Sequence, residues 1–260
     1  MLNQIAELCR QAGTFQLGHF RSVETDMIVD KGLNQLVSFV DIETEKMLVQ
    51  GLQKLVPDST FVTEENTIVQ NQKSDKYWII DPLDGTTNFL HGLGAFSISI
   101  AYVEGGEIKY GVVYIPHWNE MFTAEKNGGA FLNGEPIAVT KNIRLSDTLI
   151  ATGFPYYEFD HMKGYLKTLA QLMKTTHGLR RMGSAAIDLA YVACGRFDGF
   201  FEYGLNAWDV AAGVLLIEEA GGMVSDFKGE GDYIYGKSIV ASNKEVYGDF
   251  LDIIQLHISE

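Results

Sequence analysis

The apolar pattern of this 260-residue chain changes near residue 140, and this change constrains the fold more than any other feature. Before it, residues 95–140 form apolar segments separated by Gly- and Asn-rich turns, which is typical of an antiparallel meander. After it, strand-like and helix-like segments alternate, which predicts helices packed against a sheet. We therefore predict an α/β chain with mixed and antiparallel sheets, not a plain doubly wound fold. It would form a single domain over residues 1–260, with halves of about 1–140 and 141–260.

Individual segments are assigned from their periodicity. Helices are predicted over residues 2–15, 42–55, 161–174, 185–194, 210–220 and 244–257. Strands are predicted over residues 61–63, 77–80, 148–152, 179–182, 200–203, 223–226 and 238–241, with a polar loop over 66–76.

Composition and charge narrow the functional classes. No apolar run approaches the roughly 18 residues that span a bilayer, and residues 1–10 lack the apolar stretch of a signal peptide, so we expect a cytoplasmic protein without a membrane partner. The net charge of −14, without a basic stripe, argues against a nucleic-acid partner. Cys9 and Cys194 are expected to be free thiols. An acidic chain can still bind an anionic substrate if bound cations reverse the local field.

The most informative segment is an apolar strand that ends in two acids, Asp81 and Asp84. Pro82 fixes its own φ and biases Asp81 toward an extended conformation, while Gly85 closes a tight turn. Both carboxylates and the Leu83 carbonyl can then face one point, and such hard oxygen ligands suit Mg²⁺ or Mn²⁺ better than zinc. Taken alone, a stretch rich in Pro, Asp and Gly is equally consistent with an ordinary polar turn.

Two further acidic features favour the metal-site interpretation. Residues 64–65 are adjacent glutamates after a predicted strand, and Asp209 begins an otherwise apolar helix. Each has a structural explanation on its own, as a solvated strand end or as an acid favoured by the helix dipole. Together with Asp81 and Asp84, they supply the carboxylates that a two-metal site needs. The free amides of residues 85–87, at the entry of a short predicted helix, would hold a phosphate.

Two long motifs resemble those of a known family. The stretches Trp78–Gly92 (WIIDPLDGTTNFLHG) and Trp208–Gly222 (WDVAAGVLLIEEAGG) resemble the two signatures of the inositol monophosphatase family, and Glu64 lies where that family places its glutamate motif. The resemblance covers nearly the whole chain. It implies a layered αβαβα sandwich, a homodimer, and lithium-sensitive catalysis with two or three Mg²⁺ ions, for which Mn²⁺ can substitute.

The resemblance also implies a role for each matching residue. The metal ligands would be Glu64, Asp81, the Leu83 carbonyl, Asp84 and Asp209, with Asp81 bridging two ions. The catalytic residues would be Glu64, Thr86, Asp41 and Asp81, with Thr86 and its paired acid Asp41 orienting the attacking water. The substrate would contact Gly85, Thr86, Thr87, Gly183, Ser184, Glu202 and Asp209.

The expected reaction is hydrolysis of a small phosphate monoester, with myo-inositol 1-phosphate favoured over other sugar phosphates. Fructose-1,6-bisphosphatase and 3′-phosphoadenosine nucleotide phosphatase are alternatives, although Thr86 and the Thr87-Asn88 pair favour the inositol branch. A non-catalytic scaffold is a third alternative, but such a protein would be expected to lose its carboxylates. Lys31 matches the family's flap lysine only with a shift in alignment, and Asn206 replaces a histidine found in some members.

Overall fold

The computed structural model describes residues 1–22, 28–32, 35–155 and 159–258. Its helices are α1 (Leu2–His19), α2 (Phe39–Leu55), α3 (Thr86–Leu90), α4 (Met162–Thr175), α5 (Ala185–Ala193), α6 (Ala207–Glu219) and α7 (Tyr247–His257). The strands of the first half are β1 (Ile28–Gly32), β2 (Gln35–Ser38), β3 (Thr60–Thr63), β4 (Lys76–Asp84), β5 (Ser97–Glu104), β6 (Glu107–Ile115), β7 (Glu120–Glu125), β8 (Gly129–Leu132) and β9 (Glu135–Pro136). Those of the second half are β10 (Leu149–Thr152), β11 (Gly178–Arg180), β12 (Gly199–Tyr203), β13 (Met223–Ser225) and β14 (Ser238–Ser242).

The strands form two large sheets and one separate hairpin. The first sheet has seven strands in the order β3-β4-β5-β6-β7-β8-β9, and all neighbours are antiparallel except β3 and β4. The second sheet has five strands in the order β11-β10-β12-β14-β13 and mixes parallel with antiparallel pairs. The hairpin pairs β1 with β2. The meander predicted over residues 95–140 is the run of β5 to β9.

Helices cover both sheets in five layers. Helices α1 and α2 pack on each other and on the outer face of the seven-stranded sheet. Helices α5 and α6 lie between the two sheets, where α6 contacts β5 and β6 while α5 contacts β10 and β12. Helices α4 and α7 cover the far face of the five-stranded sheet. This arrangement confirms the predicted αβαβα sandwich, whereas the division into halves near residue 140 stays a prediction.

The central layer explains the composition of α5 and α6. Every residue of α5 is buried, and α6 is apolar on nearly all sides, because a helix between two sheets has no solvent face. The two helices also approach closely. A Cβ at Gly213 would lie 2.6 Å from the Leu189 Cβ, so α6 requires glycine at this position. By contrast, α4 on the outside is amphipathic, with Leu169 and Leu172 buried and Lys167 and Lys174 exposed.

Several predicted boundaries were wrong by a few residues, for identifiable reasons. The last helix begins at Tyr247, not residue 244, because the Asn243 side chain accepts hydrogen bonds from the Glu245 and Val246 amides and holds them in a turn. Helix α6 begins at Ala207, three residues early, because Asn206 and Asp209 form a capping box. Strand β11 ends at residue 180, two residues before the predicted end.

Two predictions from composition can be compared with the described residues. Cys9 and Cys194 are free thiols, as expected. Among the described residues, no helix combines the length and apolar character needed to cross a lipid bilayer.

Candidate metal and phosphate site

An open pocket of about 480 Å³ lies where the end of β4, the start of α5, the end of β12 and the start of α6 meet. The predicted site residues that line it are Glu64, Asp81, Leu83, Asp84, Gly85, Thr86, Thr87, Gly183, Ser184, Glu202 and Asp209. The remaining one, Asp41, lies behind Thr86. The structure thus brings together residues that are up to 168 positions apart in the chain (41 to 209).

A β-bulge in β4 points two of the acids at the same place. Asp81 pairs with Ser99 and Asp84 pairs with Ser97, so β4 has one more residue than β5 between these two pairs. In a regular strand, side chains three residues apart would face opposite sides of the sheet. The sequence prediction placed Asp84 in a turn after the strand, but both acids belong to β4. Pro82 fits inside the bulge because the residue there has no ladder partner to donate to.

Gly85 ends the bulged strand in a conformation that needs glycine. Its φ is +95°, and an added Cβ would lie 2.9 Å from the Ala95 carbonyl oxygen. The short helix α3 follows directly, so Thr86 and Thr87 come to the pocket wall as predicted. The Leu83 amide donates a 2.9 Å hydrogen bond to the Asp81 Oδ1, which fixes that carboxylate within the bulge.

Three aspartates converge in this pocket. One carboxylate oxygen from each of Asp81, Asp84 and Asp209 lies within 4.8 Å of the others. Asp209 sits in the first turn of α6, where its Oδ2 accepts a 2.7 Å hydrogen bond from the Asn206 amide. Asp84 Oδ2 accepts hydrogen bonds from the Ser184 hydroxyl at 2.6 Å and the Ala186 amide at 2.8 Å.

Glu64 joins the group from the neighbouring parallel strand. Thr63 is in register with Ile80, and the Glu64 amide continues the pairing with a 3.3 Å hydrogen bond to the Ile80 carbonyl. This register places Glu64 beside Asp81, so each carboxyl group affects the pKa of the other.

Burial raises the pKa values of all four acids, and neighbouring negative charge adds to the rise for Glu64, Asp81 and Asp209. Burial raises the pKa of Asp84 to about 6, although the Ser184 hydroxyl and the Ala186 amide oppose the shift. Burial and the charge of Asp84 raise the pKa of Asp209 to about 7. The pKa values of Glu64 and Asp81 rise well above their ordinary range, first because of burial and then because of neighbouring negative charges.

The crowding of carboxyl groups in the pocket shows whether its residues fit a metal ion. Four carboxyl groups share a partly buried pocket, and their mutual repulsion is relieved either by protons or by cations. All four offer hard oxygen ligands, which suit Mg²⁺ and similar ions. The residues therefore fit a site for divalent cations.

Thr86 is held by an acid from outside the pocket. Its hydroxyl lies 2.8 Å from the Asp41 Oδ1 and 3.0 Å from the Leu83 carbonyl oxygen, and it can donate to one of them at a time. Asp41 is buried on α2, where the amide and hydroxyl of Ser38 donate to its Oδ2. Burial raises the pKa of Asp41. With its proton directed at an acceptor, the Thr86 oxygen keeps lone pairs for a donor in the pocket.

The opposite wall carries two acids and a cation. Glu202 on β12 and Asp188 on α5 are buried, and the exposed Arg181 also lines the pocket. Burial raises the pKa of both carboxyl groups well above normal, and the Arg181 charge opposes the rise. Sequence reasoning missed Asp188 and Arg181. An acid within the all-apolar pattern of 185–193 was the signal that could have identified Asp188.

Two positions at which the sequence departs from the family pattern, Lys31 and Asn206, differ in what the structure describes. The backbone of Lys31 belongs to β1, but its side chain lies outside the described residues. Asn206 lines the pocket as the residue that caps α6.

The fold and the site together define a layered α/β protein with an acidic pocket suited to divalent cations. Comparisons with known proteins show the family to which such a protein belongs. The sequence matches the model of the inositol monophosphatase family over residues 1–258. It is 42% identical over 259 residues to an inositol-1-monophosphatase of Mesorhizobium japonicum, covering 100% of this chain and 97% of that protein. It is also 42% identical over 246 residues to the Nus factor SuhB of Escherichia coli, covering 95% and 92% of the two chains.

A solved structure supports the same assignment. The crystal structure of the extragenic suppressor protein SuhB from Bartonella henselae superposes with a TM-score of 0.91 at 39% identity, covering 98% of each chain. The protein therefore belongs to the inositol monophosphatase family, as the sequence motifs indicated. This is a family of metal-dependent phosphatases that act on small-molecule phosphates.

Proposed function

We propose that this protein is a Mg²⁺-dependent phosphatase that hydrolyses the monophosphate of a small polyol, with myo-inositol 1-phosphate as the favoured substrate. The observation that carries the proposal is the convergence of Asp81, Asp84 and Asp209 within 4.8 Å in one pocket. Glu64 and the Leu83 carbonyl complete the proposed ligand set. The Mesorhizobium relative named inositol-1-monophosphatase supports the choice of substrate.

The chemistry follows from the positions of the side chains. The chemistry that a bound Mg²⁺ ion would supply here is neutralisation of charge on the phosphoryl and leaving oxygens and a lower pKa for a water molecule. Thr86 and Glu64 would position the attacking water beside the phosphate, and Asp41 orients the Thr86 hydroxyl for this at 2.8 Å. Residues 85–87 contact the phosphate. Phosphoryl transfer depends mainly on positioning and charge neutralisation, so no side-chain nucleophile is needed.

The far wall of the pocket favours a neutral, hydroxyl-rich alcohol group. Of the described residues that line the pocket, seven are acidic, and Arg181 is the one lysine or arginine. Glu202 and Asp188 offer acceptors for hydroxyl donors. Substrates with a second phosphate, such as fructose 1,6-bisphosphate or 3′-phosphoadenosine 5′-phosphate, would bring more negative charge toward these acids. We therefore rank both below a polyol monophosphate.

Phosphate release tests the proposal. The assay compares inositol 1-phosphate, fructose 1,6-bisphosphate and 3′-phosphoadenosine 5′-phosphate, each with Mg²⁺, with EDTA, and with Mg²⁺ plus Li⁺. We expect Mg²⁺-dependent release, fastest from inositol 1-phosphate, lost with EDTA and inhibited by Li⁺. Preference for a bisphosphate would contradict the substrate assignment. No release from any of the three by folded protein with bound Mg²⁺ would favour the scaffold alternative.

A second candidate function is that of a Nus factor. The Nus factor SuhB of Escherichia coli is 42% identical to this chain, the same identity as the Mesorhizobium inositol-1-monophosphatase. The two roles are separable because Asp81→Asn would remove catalysis without changing the protein surface. If this variant complements loss of a Nus factor as well as the parent does, the chain has a role independent of catalysis. The homodimer expected from the family stays a prediction.

A further inference from the structure

Glu45 is a buried acid that supports the loop carrying Glu64. It lies on α2 and is fully inaccessible to solvent. It follows Asp41 by one helical turn, so both side chains project from the same face of the helix. Asp41 contacts Thr86, as described above, whereas Glu45 faces the segment that follows β3.

The Glu45 carboxylate collects four hydrogen bonds from that segment. Its Oε1 accepts from the Thr63 hydroxyl at 2.9 Å, and from the amide and the hydroxyl of Thr67, both at 2.7 Å. Its Oε2 accepts from the Glu65 amide at 2.7 Å. The donors come from both sides of Glu64 within a stretch of five residues.

These hydrogen bonds take over from the pairing between β3 and β4 at the point where that pairing ends. The Glu64 amide makes the last bond between β3 and β4, to Ile80, and Asn66 then turns the chain with a φ of +54°. Beyond Glu64, the Glu45 carboxylate is the shared acceptor that holds the Glu65 and Thr67 backbone in place. The position of Glu64 is thus fixed on one side by β4, which carries Asp81, and on the other by α2.

We propose that Glu45 is a positioning residue of the metal site, which holds the 63–67 loop so that the Glu64 carboxylate meets those of Asp81 and Asp209. The inference rests on the proposed metal-dependent function. Partners that hydrogen-bond the groups around metal ligands typically change metal affinity or activity by about 10- to 100-fold when they are lost. With Asp41, Glu45 makes one face of α2 responsible for orienting both Thr86 and Glu64.

The isosteric substitution Glu45→Gln separates positioning from simple space filling. The glutamine oxygen can still accept from Thr67, but its amide group would then face the Glu65 amide, donor against donor. The volume of the side chain is preserved, so the helix can still pack. The contact nearest to Glu64 is the one that breaks.

The experiment compares the full-length parent, Glu45→Gln and Glu43→Gln. Glu43 lies two residues earlier on the same helix, is about half exposed, and pairs with Lys46 at the surface, so it controls for the chemical change alone. Calorimetric titration with Mg²⁺ in the absence of substrate gives metal affinity, and steady-state kinetics give kcat, KM and the Mg²⁺ concentration for half-maximal rate. Urea denaturation with EDTA reports folding separately.

We expect Glu45→Gln to weaken Mg²⁺ binding by about 10-fold or more and to lower kcat, with KM for the phosphate ester changed by less than about threefold. Glu43→Gln should match the parent. If Glu45→Gln loses stability but binds Mg²⁺ as tightly as the parent, Glu45 is merely structural and the inference is overturned.

Three further outcomes separate the positioning role from a folding defect and from failure of the proposed function. If Glu45→Gln does not fold, Thr67→Val, which removes only the hydroxyl donor, must show weaker Mg²⁺ binding in the same direction; unchanged affinity would overturn the inference. If the parent itself neither binds Mg²⁺ nor hydrolyses any of the three esters, the proposed function fails, and the positioning role fails with it. A normal parent with an unaffected Glu45→Gln variant refutes the positioning role alone.

Discussion

Asp209→Asn should stabilise the metal-free protein at neutral and alkaline pH while impairing its function. Asn keeps an oxygen that can accept the 2.7 Å hydrogen bond from the Asn206 amide, so the cap of α6 is preserved. The substitution removes one of the three converging carboxylates and leaves those of Asp81 and Asp84. It therefore tests the repulsion inferred for the pocket, separately from local folding.

The magnitude follows from the pKa of Asp209, which burial and the charge of Asp84 raise from an ordinary value of 3.8 to about 7. Because the folded-state pKa is the higher one, the folded protein binds more protons than the unfolded chain between these pH values. Stability from this group is fully present below about pH 4 and is lost as the pH rises through about 7. The full shift corresponds to about 4 kcal/mol. Since Asp209 is partly exposed and water screens the charge, we expect about 1–3 kcal/mol.

Urea denaturation in EDTA between pH 4 and pH 8 measures the effect. The parent should lose stability relative to Asp209→Asn as the pH rises, with near-equal stability at pH 4 and the largest difference at pH 8. Excess Mg²⁺ at pH 8 should reverse the order, because the parent gains binding free energy that the variant lacks.

Asp249→Asn is the matched control. Asp249 occupies the same position in the first turn of α7 as Asp209 does in α6, but it is exposed. Removing its charge should cost up to about 1 kcal/mol through the helix dipole. The reasoning would be refuted if Asp209→Asn were less stable than the parent in EDTA at pH 8, or if its advantage did not change with pH.

Three further substitutions test other parts of the site. Asp81→Asn should lower turnover by at least about 1000-fold. Its far-UV circular dichroism spectrum should match that of the parent, and its urea midpoint in EDTA should be at least as high. Near-normal phosphate release would contradict the metal assignment. Thr86→Val should lower kcat by about 100-fold or more, because Thr86 is proposed to orient the attacking water without binding metal. Its Mg²⁺ affinity in calorimetry should stay within about threefold of the parent's. Equal losses of kcat and Mg²⁺ affinity would mean that Thr86 supports the metal ligands instead. Gln16→Met should destabilise the protein by about 1–3 kcal/mol in urea denaturation, since the Gln16 amide donates a 2.7 Å hydrogen bond to the Pro82 carbonyl inside the bulge. An unchanged urea midpoint would show that the Pro82 carbonyl finds another partner.

Periodicity was sufficient to predict most of the helices and strands and their α/β packing. Helices α1, α2, α4 and α5 and the strands of the meander follow from apolar spacing and from Gly- and Asn-rich turns. Apart from Asp188, residues 185–193 and 210–217 are apolar, which is typical of helices covered on every side. The order of the five layers, however, was expected only from the family resemblance. The order of strands within each sheet could not be predicted, because it depends on pairing between segments far apart in the chain.

The candidate site was predictable by residue type but not by geometry. The acids of the two signatures were identified from the sequence, yet the bulge that aligns Asp81 with Asp84 was not, because it depends on the register of β4 with β5. Glu45 was also missed, although its position on the apolar face of α2, three residues before the buried Leu48, was a usable signal. An acid at a core position of a helix requires partners that only the tertiary structure supplies.

The donors that hold these acids indicate why the pocket suits cations. The Leu83 amide binds Asp81, the Ser184 hydroxyl binds Asp84, and the Asn206 amide binds Asp209. These donors orient the carboxylates without cancelling their charge, whereas a lysine or arginine in the same place would compete with a metal ion for each oxygen. Neutral donors thus preserve both the geometry and the negative potential that a divalent cation needs. The same choice leaves the repulsion between acids unrelieved in the metal-free protein, so metal affinity and the loss of stability at neutral pH have a common origin.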